Sequence, residues 1–484
     1  GIRQDLDDVM LCHLTLMGEF LRRQPSPLEY CPAPIWGAPL IDRILKRDDK
    51  RVEAKVLLDV TRHRFLRHHI LYANQVSDHD PDLHGLAVLP LAVSLELLVE
   101  VAAQLRRRGR LMTVKKVKAL DWISLERGSR TLHLIATSLE ADGSQECFHA
   151  QICTPAAEGG VCLVEGEVLF STEEVTPLPS LPPLRAPQAP RWRDEDLYTT
   201  GMFHGPLFRS IRSMMAWDNQ GLDVELAEMP LNGFLERDMP PPDFWINPVL
   251  LDAVGHLTAF WIAQGRGTDF SSFPSRIELI QCIDPRPNST RAGVLRGRLA
   301  FLEGERFLLG DYEALDDHGR TLLRISGWQD RFFSVPHRFY LARTNPLHGW
   351  YGEEIILKGE GGGVTWAVPP FPPGFLEDSG GIWARVLAHS LLSRPEREEW
   401  AALSLLPRQR QEWLLSRIAL KEVTRLLWWR CYGHLPFPAD VHVLQEEDGG
   451  FLVLVAQDEG YVPGPMVSLV FEGHWAVAIA SQSE

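Results

Sequence analysis

Two stretches of this sequence hold residues able to do acid–base chemistry. The first, "FLRHHILYANQVSDHDPDLHGLAVLP" (65–90), carries His68, His69, His79 and His84 ahead of Gly85, Pro90 and a long apolar segment. Imidazole titrates near neutral pH, so each ring can take or give a proton under ordinary conditions. A histidine delivered just before a helix N-terminus can face a carbonyl polarised by that helix's free N–H groups. The second stretch, "INPVLLDAVGH" (246–256), sets Asp252 and His256 four apart, on one face of a helix. The surrounding segment is apolar, where a carboxylate is costly unless it is paired or used. Two readings stand open: a buried Asp–His hydrogen bond serving structure, or a carboxyl held for proton transfer. For any one of the four histidines a surface or satisfied role is the commoner fate, and Gly85 and Pro90 alone only punctuate a strand-to-helix turn.

The elements around these stretches repeat. From about 50 to 172 the runs "VEAKVLLDV", "TLHLIATSLE", "ECFHAQICT" and "CLVEGEVLF" read as strands, interrupted after Pro90 by one long helix, "LAVSLELLVEVAAQL". "EEVTPLPSLPPLRAPQAPRW" is too proline-dense for helix or central strand and reads as a linker. The pattern then recurs: the helix "NPVLLDAVGHLTAFWIAQG", then the strands "SRIELIQCI", "AGVLRGRLAFLEG", "RFLLGDYEALDD" and "TLLRISGWQDRFF". This predicts a duplicated α+β unit, each half wrapping an antiparallel sheet around one buried helix. The expected division is 1–45 (helix and connector), 46–172, a linker 173–192, 193–337, an irregular connector 338–395 and a smaller α/β segment 396–484. "LRRRGRLMTVKKVKAL" reads as a basic solvated face able to receive an acidic protein, and "KGEGGG" as a flexible connector.

Bulk properties narrow the function classes. A chain of 484 residues exceeds one hydrophobic core. The formal charge of -15 argues against nucleic acid or an anionic membrane as main partner. No apolar run reaches a membrane span. Seven scattered cysteines without a C-x-x-C pair suggest neither zinc site nor disulfide framework, and fit a reducing cytoplasm. The opening "GIRQDLDDVM" lacks an initiator Met and a signal pattern, as expected of a piece of a longer polypeptide.

Over roughly 46–335 the chain resembles the dehydratase domain of polyketide synthases, a double hotdog fold. The family's histidine entry motif is matched by "FLRHH", its Gly-to-Pro spacing by Gly85 and Pro90, and its D-x-x-x-Q/H helix by "NPVLLDAVGH". Its Y-G-P-x-F turn is matched by "HGPLF", with His204, Gly205, Pro206 and Phe208. The family usually places the histidine four residues before the glycine, where this chain has Pro81. The better match is His69, with "YANQVSDHDPDL" inserted after it; Asp78-His79 is the rival. The resemblance implies loss of water from a β-hydroxyacyl thioester. His69 would be the base, Asp252 the acid and His256 the residue that orients Asp252 or the departing water. N–H groups near the Gly85–Pro90 turn would hold the enolate oxygen. It implies no metal or tightly bound cofactor. The substrate would ride on the 4′-phosphopantetheine of an acyl carrier protein, beside other domains of one cytoplasmic synthase, with a homodimer possible. A product-template-like cyclisation domain and a degenerate scaffold are the alternatives.

The C-terminal segment has its own resemblance. "EWLLSRIALKEVTRLL" and "MVSLVFEGHWAVAIA" resemble the front half of a 4′-phosphopantetheinyl transferase, with Leu469 near the place of the family histidine. Such a segment after a dehydratase resembles iterative, enediyne-type synthases. The chain ends before the family's metal-binding acids, which implies an incomplete or inactive portion; an α/β cap on the dehydratase is the simpler reading.

Overall fold

The computed structural model describes residues 37–482 apart from 72–74, 143, 175, 200–201, 230, 238, 284–291, 357–362, 405 and 459. The expected N-terminal helix and nearly all of "KGEGGG" lie outside the described residues.

Twelve strands form one continuous sheet. In the first half these are β1 (Arg43–Arg47), β2 (Arg51–Asp59), β3 (Arg110–Ala119), β4 (Ser129–Asp142), β5 (Gln145–Cys153) and β6 (Cys162–Ser171). The second half supplies β7 (Ile211–Asp218), β8 (Gly221–Leu226), β9 (Phe270–Cys282), β10 (Ala292–Phe301), β11 (Phe307–Asp316) and β12 (Thr321–Ser334). The spatial order is β1-β2-β4-β5-β6-β3-β9-β12-β11-β10-β8-β7. Read outward from the central β3–β9 pair, both halves give the same sequence of strands. Helix α1 (Leu91–Ala103) separates β2 from β3, and helix α2 (Pro248–Arg266) separates β8 from β9 at the equivalent point. The fold is a double hotdog.

Each helix is the filling of its half. Residues Ala92–Ala102 of α1 are all buried, as an all-round apolar helix must be. At about 1.5–3 kcal/mol per buried large side chain, its leucines and valines weigh heavily in the core. Two carboxylates nevertheless sit in this helix. Glu96 accepts N–H bonds from Trp245 (2.8 Å) and Ile246 (2.9 Å), and Glu100 accepts one from Leu40 at 3.1 Å. Glu96 thereby ties α1 to the backbone that leads into α2.

Burial pushes the Glu96 carboxyl up to about 8, against those two N–H groups. A folded-state value above the unfolded one costs stability as pH rises, because the unfolded chain has already released its proton. The buried imidazoles, held below 6.5, act oppositely only at lower pH. The thermal midpoint should therefore fall between pH 6.5 and 8, with a shallower slope in Glu96→Gln; calorimetry across that range checks it.

The basic stretch has an exposed outer face, carrying Lys116 and Lys118, and a buried inner one. It is β3, at the centre of the sheet, with Leu111–Val114 and Val117 buried. Lys116 and Lys118 pair with Glu167 and Glu165, both at 2.9 Å, on neighbouring β6. The register slips between Lys115 and Lys118, crowding lysines onto the outer face and masking the strand's alternation.

Residues 338–395, expected to be irregular, contain α3 (His337–Thr344), β13 (Glu353–Glu354), β14 (Val364–Val368) and α4 (Asp378–Leu391). The remainder comprises α5 (Arg394–Ala402), α6 (Pro407–Tyr432), β15 (Val441–Gln445), β16 (Phe451–Gln457), β17 (Gly460–Pro463), β18 (Met466–Glu472) and β19 (Trp475–Ser481). β14 pairs with β19, so the two segments share a sheet and an apolar core. The fully buried "VTWAV" strand is too short for its periodicity to show. Among the described residues no helix is long and apolar enough to cross a membrane.

Candidate active site

β2 stops at Asp59, ten residues before His69. The Asp59 Oδ1 accepts from Thr61 N (2.7 Å) and Arg62 N (3.3 Å), and this local turn competes with the ladder. A 3₁₀ turn (Arg64–His68) follows, and His69 comes directly after it, bridged antiparallel to His204.

His69 is buried, and its Nδ1 donates to the Val88 carbonyl at 2.8 Å. That bond fixes the tautomer and leaves Nε2 with its lone pair. Burial holds the imidazole below its ordinary 6.5, while the nearby Asp252 charge pulls it up. The ring therefore stands neutral at neutral pH.

The HGPLF turn supports it. Gly205 N donates to the His68 carbonyl at 2.8 Å, and a Cβ on Gly205 would meet His68 Nδ1 at 2.6 Å. Pro206 opens a short 3₁₀ turn whose Phe208 is buried, with its ring centroid 5.6 Å from that of His69.

From the other half, α2 delivers Asp252 and His256. Asp252 Oδ2 lies 3.1 Å from His256 Nε2 and 3.4 Å from His204 Nε2, without hydrogen-bond alignment to either. His256 is held from behind by Tyr198, whose hydroxyl accepts from Ile211 N (2.9 Å) and meets His256 Nδ1 at 3.1 Å. Sequence reasoning missed Tyr198; nothing in "DEDLYTT" signals a partner 58 residues away. His204, stacked on Phe203 with centroids 4.0 Å apart, is held well below the ordinary histidine value by burial and then by His256 and His69.

His69, His204 and Asp252 each offer an atom within 4.8 Å of the others. They line one cavity of about 640 Å³, with Leu89, Phe260 and Phe273 among its apolar walls. Leu91, Ala92 and Ser94, at the start of α1, also line it. The two helix starts differ: Asn247 caps Val249 N and Leu250 N on α2, whereas Pro90 gives α1 no side-chain cap. Val93 N and Ser94 N both donate to the Pro90 carbonyl, which leaves the N–H groups of Leu91 and Ala92, residues that line the cavity, without an intrahelical acceptor. Gly85 is buried in the segment leading to Pro90.

His79 and His84 do not line this cavity. Their loop is docked on the C-terminal part. Ser77 Oγ bonds Asp440, Asp78 N donates to Asp440 at 2.9 Å, and Arg394 clamps Asp80 at 2.7 and 2.9 Å. Tyr340, Arg343 and Gly380 from the same part line the cavity.

Residues 177–337 match the family model described as the polyketide synthase dehydratase N-terminal domain. That match spans the linker and the second half of the duplicated unit. No curated protein matches the chain. Similar solved structures include the dehydratase domain from the CurJ module of the curacin polyketide synthase, at 14% identity and TM-score 0.44, covering 61% of this chain and 96% of that one. The dehydratase domain of PpsC from Mycobacterium tuberculosis is 17% identical, with TM-score 0.44 and coverages of 61% and 99%. A trans-AT polyketide synthase dehydratase domain from Brevibacillus brevis is 16% identical, with TM-score 0.46 and coverages of 62% and 100%.

On α6, Lys421 and Glu422 are both buried. Lys421 Nζ sits 2.6 Å from Glu396, and Glu422 accepts from Tyr351 N, Gly352 N and Trp366 Nε1 at 2.6–3.0 Å. Their polar ends are consumed by the fold.

Proposed function

We propose that this chain removes water from a β-hydroxyacyl thioester carried on the 4′-phosphopantetheine of an acyl carrier protein, with His69 as base and Asp252 as acid. One observation carries the reading: His69 Nε2, freed by the Nδ1–Val88 bond, shares a mostly apolar cavity with Asp252 from the opposite half. A thioester α-proton is weakly acidic, so its base must be neutral and its carbonyl polarised as the proton leaves. The uncapped start of α1 supplies N–H donors for the developing enolate oxygen. Asp252 protonates the leaving hydroxyl, and His256, held by Tyr198, orients it. His204, Gly205 and Pro206 hold the His69 segment against α2, and the Gly85–Pro90 turn aims the start of α1.

The C-terminal part reads best as a structural relative of a transferase front half that closes one side of the cavity, within an iterative-type synthase. The buried, satisfied Lys421 and Glu422 support that reading.

Incubation with a 3-hydroxyacyl-pantetheine thioester should yield a product lighter by one water, seen by mass spectrometry. A purified, folded chain that leaves a panel of such thioesters unchanged would overturn the proposal in favour of a cyclisation domain or scaffold.

A further inference from the structure

We propose that His69, His204 and Asp252 also form a three-ligand site for Zn²⁺, and that its occupation blocks dehydration. The inhibitory half of this rests on the function proposed above; the binding half does not.

Two imidazoles and one carboxylate are the donor set of three-ligand zinc sites that keep a further position for water. Here they converge from three places in the chain, with one atom of each within 4.8 Å of the others. Ligands at about 2.0–2.2 Å on a tetrahedral ion lie about 3.3–3.5 Å apart. The His204 Nε2–Asp252 Oδ2 separation is already 3.4 Å, so closure asks only a small approach by His69.

Three further features fit an ion. The His69 Nδ1–H bond to the Val88 carbonyl is the outer bond that a metal-bound imidazole usually makes, and it aims Nε2 inward. Asp252 Oδ2 and His204 Nδ1 are buried without a hydrogen-bond partner, so the carboxylate is uncommitted. His256 Nε2, 3.1 Å from Asp252 Oδ2, can hold the carboxylate in place from outside. The resemblance described above places a tyrosine where this chain has His204, and that exchange supplies the third ligand. Nitrogen-rich donors favour Zn²⁺ over Mg²⁺, which prefers oxygen ligands and retains its waters. A metal on Nε2 takes the lone pair that would accept the α-proton, so the ion acts as a reversible inhibitor.

The full chain, stripped with chelator, would be titrated with ZnCl₂ against a chromophoric competitor. We expect one equivalent of zinc bound, weakened by about tenfold or more in each of His204→Phe, His69→Gln and Asp252→Asn, and no competition from Mg²⁺. Co²⁺ should give the visible absorption of a low-coordinate nitrogen–oxygen site in the parent and lose it in His204→Phe. Circular dichroism identifies any variant that fails to fold, and the other two then decide. Dehydration by the parent should fall with zinc and return with EDTA. No stoichiometric binding, or equal binding by parent and all folded variants, overturns the site and leaves the dehydratase reading intact. Zinc binding with no turnover in metal-free buffer would sink the proposed function instead.

Discussion

Asp252→Asn should reduce dehydration by about 10²–10⁴-fold, the range that positioned acid–base groups supply. Asn is close to isosteric and keeps an oxygen toward His256, so the packing of α2 should survive. It has no carboxyl proton to give to the departing hydroxyl, which leaves as hydroxide only at great cost. The loss should appear in kcat rather than KM, because the cavity's apolar walls, which hold the acyl chain, are unchanged. Single-turnover assay of Asp252→Asn beside the parent reads this directly. Activity within about threefold of the parent, in a variant with an unaltered melting curve, would remove Asp252 from the mechanism.

Much of the fold was legible because the two halves repeat at the level of pattern. The alternating runs that became β4, β5, β6, β10, β11 and β12, and the two helices following prolines, all carry periodicity that survives without structural context. The strand that joins the halves did not. β3 alternates normally only as far as Lys115; its bulge then puts three lysines within four residues, and their partners, Glu165 and Glu167, lie on another strand. The sequence shows the charges and hides the pairing. Residues 338–395 hid for a different reason. Their short strand is buried on both sides by a sheet completed about a hundred residues later, so no local alternation marks it.

The site was legible where spacing on one element suffices. Asp252 and His256, four apart on α2, could be read as neighbours, and both the structural and the catalytic reading retain force: Asp252 Oδ2 and His256 Nε2 lie 3.1 Å apart, and both residues line the cavity. What brings the rest together is long-range. His204 reaches Asp252 across 48 positions, Tyr198 reaches His256 across 58, and the Val88 carbonyl sets the His69 tautomer across 19. The inserted loop was harder still. Its run of Ser77, Asp78, Asp80 and Asp82 has the composition of solvated chain, yet Asp440 takes Ser77 Oγ and the Asp78 N–H, and Arg394 takes Asp80.

His69→Ala should abolish measurable turnover, while His79→Ala and His84→Ala should retain it. The three rings differ in what they touch. His69 is fixed by Val88, bridged to His204 and walled by Phe203 and Phe208, in the cavity that also holds Asp252. The bonds that hold the His79 loop come from Ser77, Asp78 and Asp80, so losing the His79 ring leaves the docking in place. The same burial predicts a pH profile. Because desolvation disfavours the imidazolium, protonation of His69 occurs below 6.5, and the acid limb of kcat/KM for the parent should lie below that value. Free imidazole, added to His69→Ala, should restore part of the rate by occupying the space the ring leaves. That rescue separates a missing base from a collapsed site. Turnover surviving in His69→Ala, or lost in a well-folded His79→Ala, would transfer the base to the inserted loop.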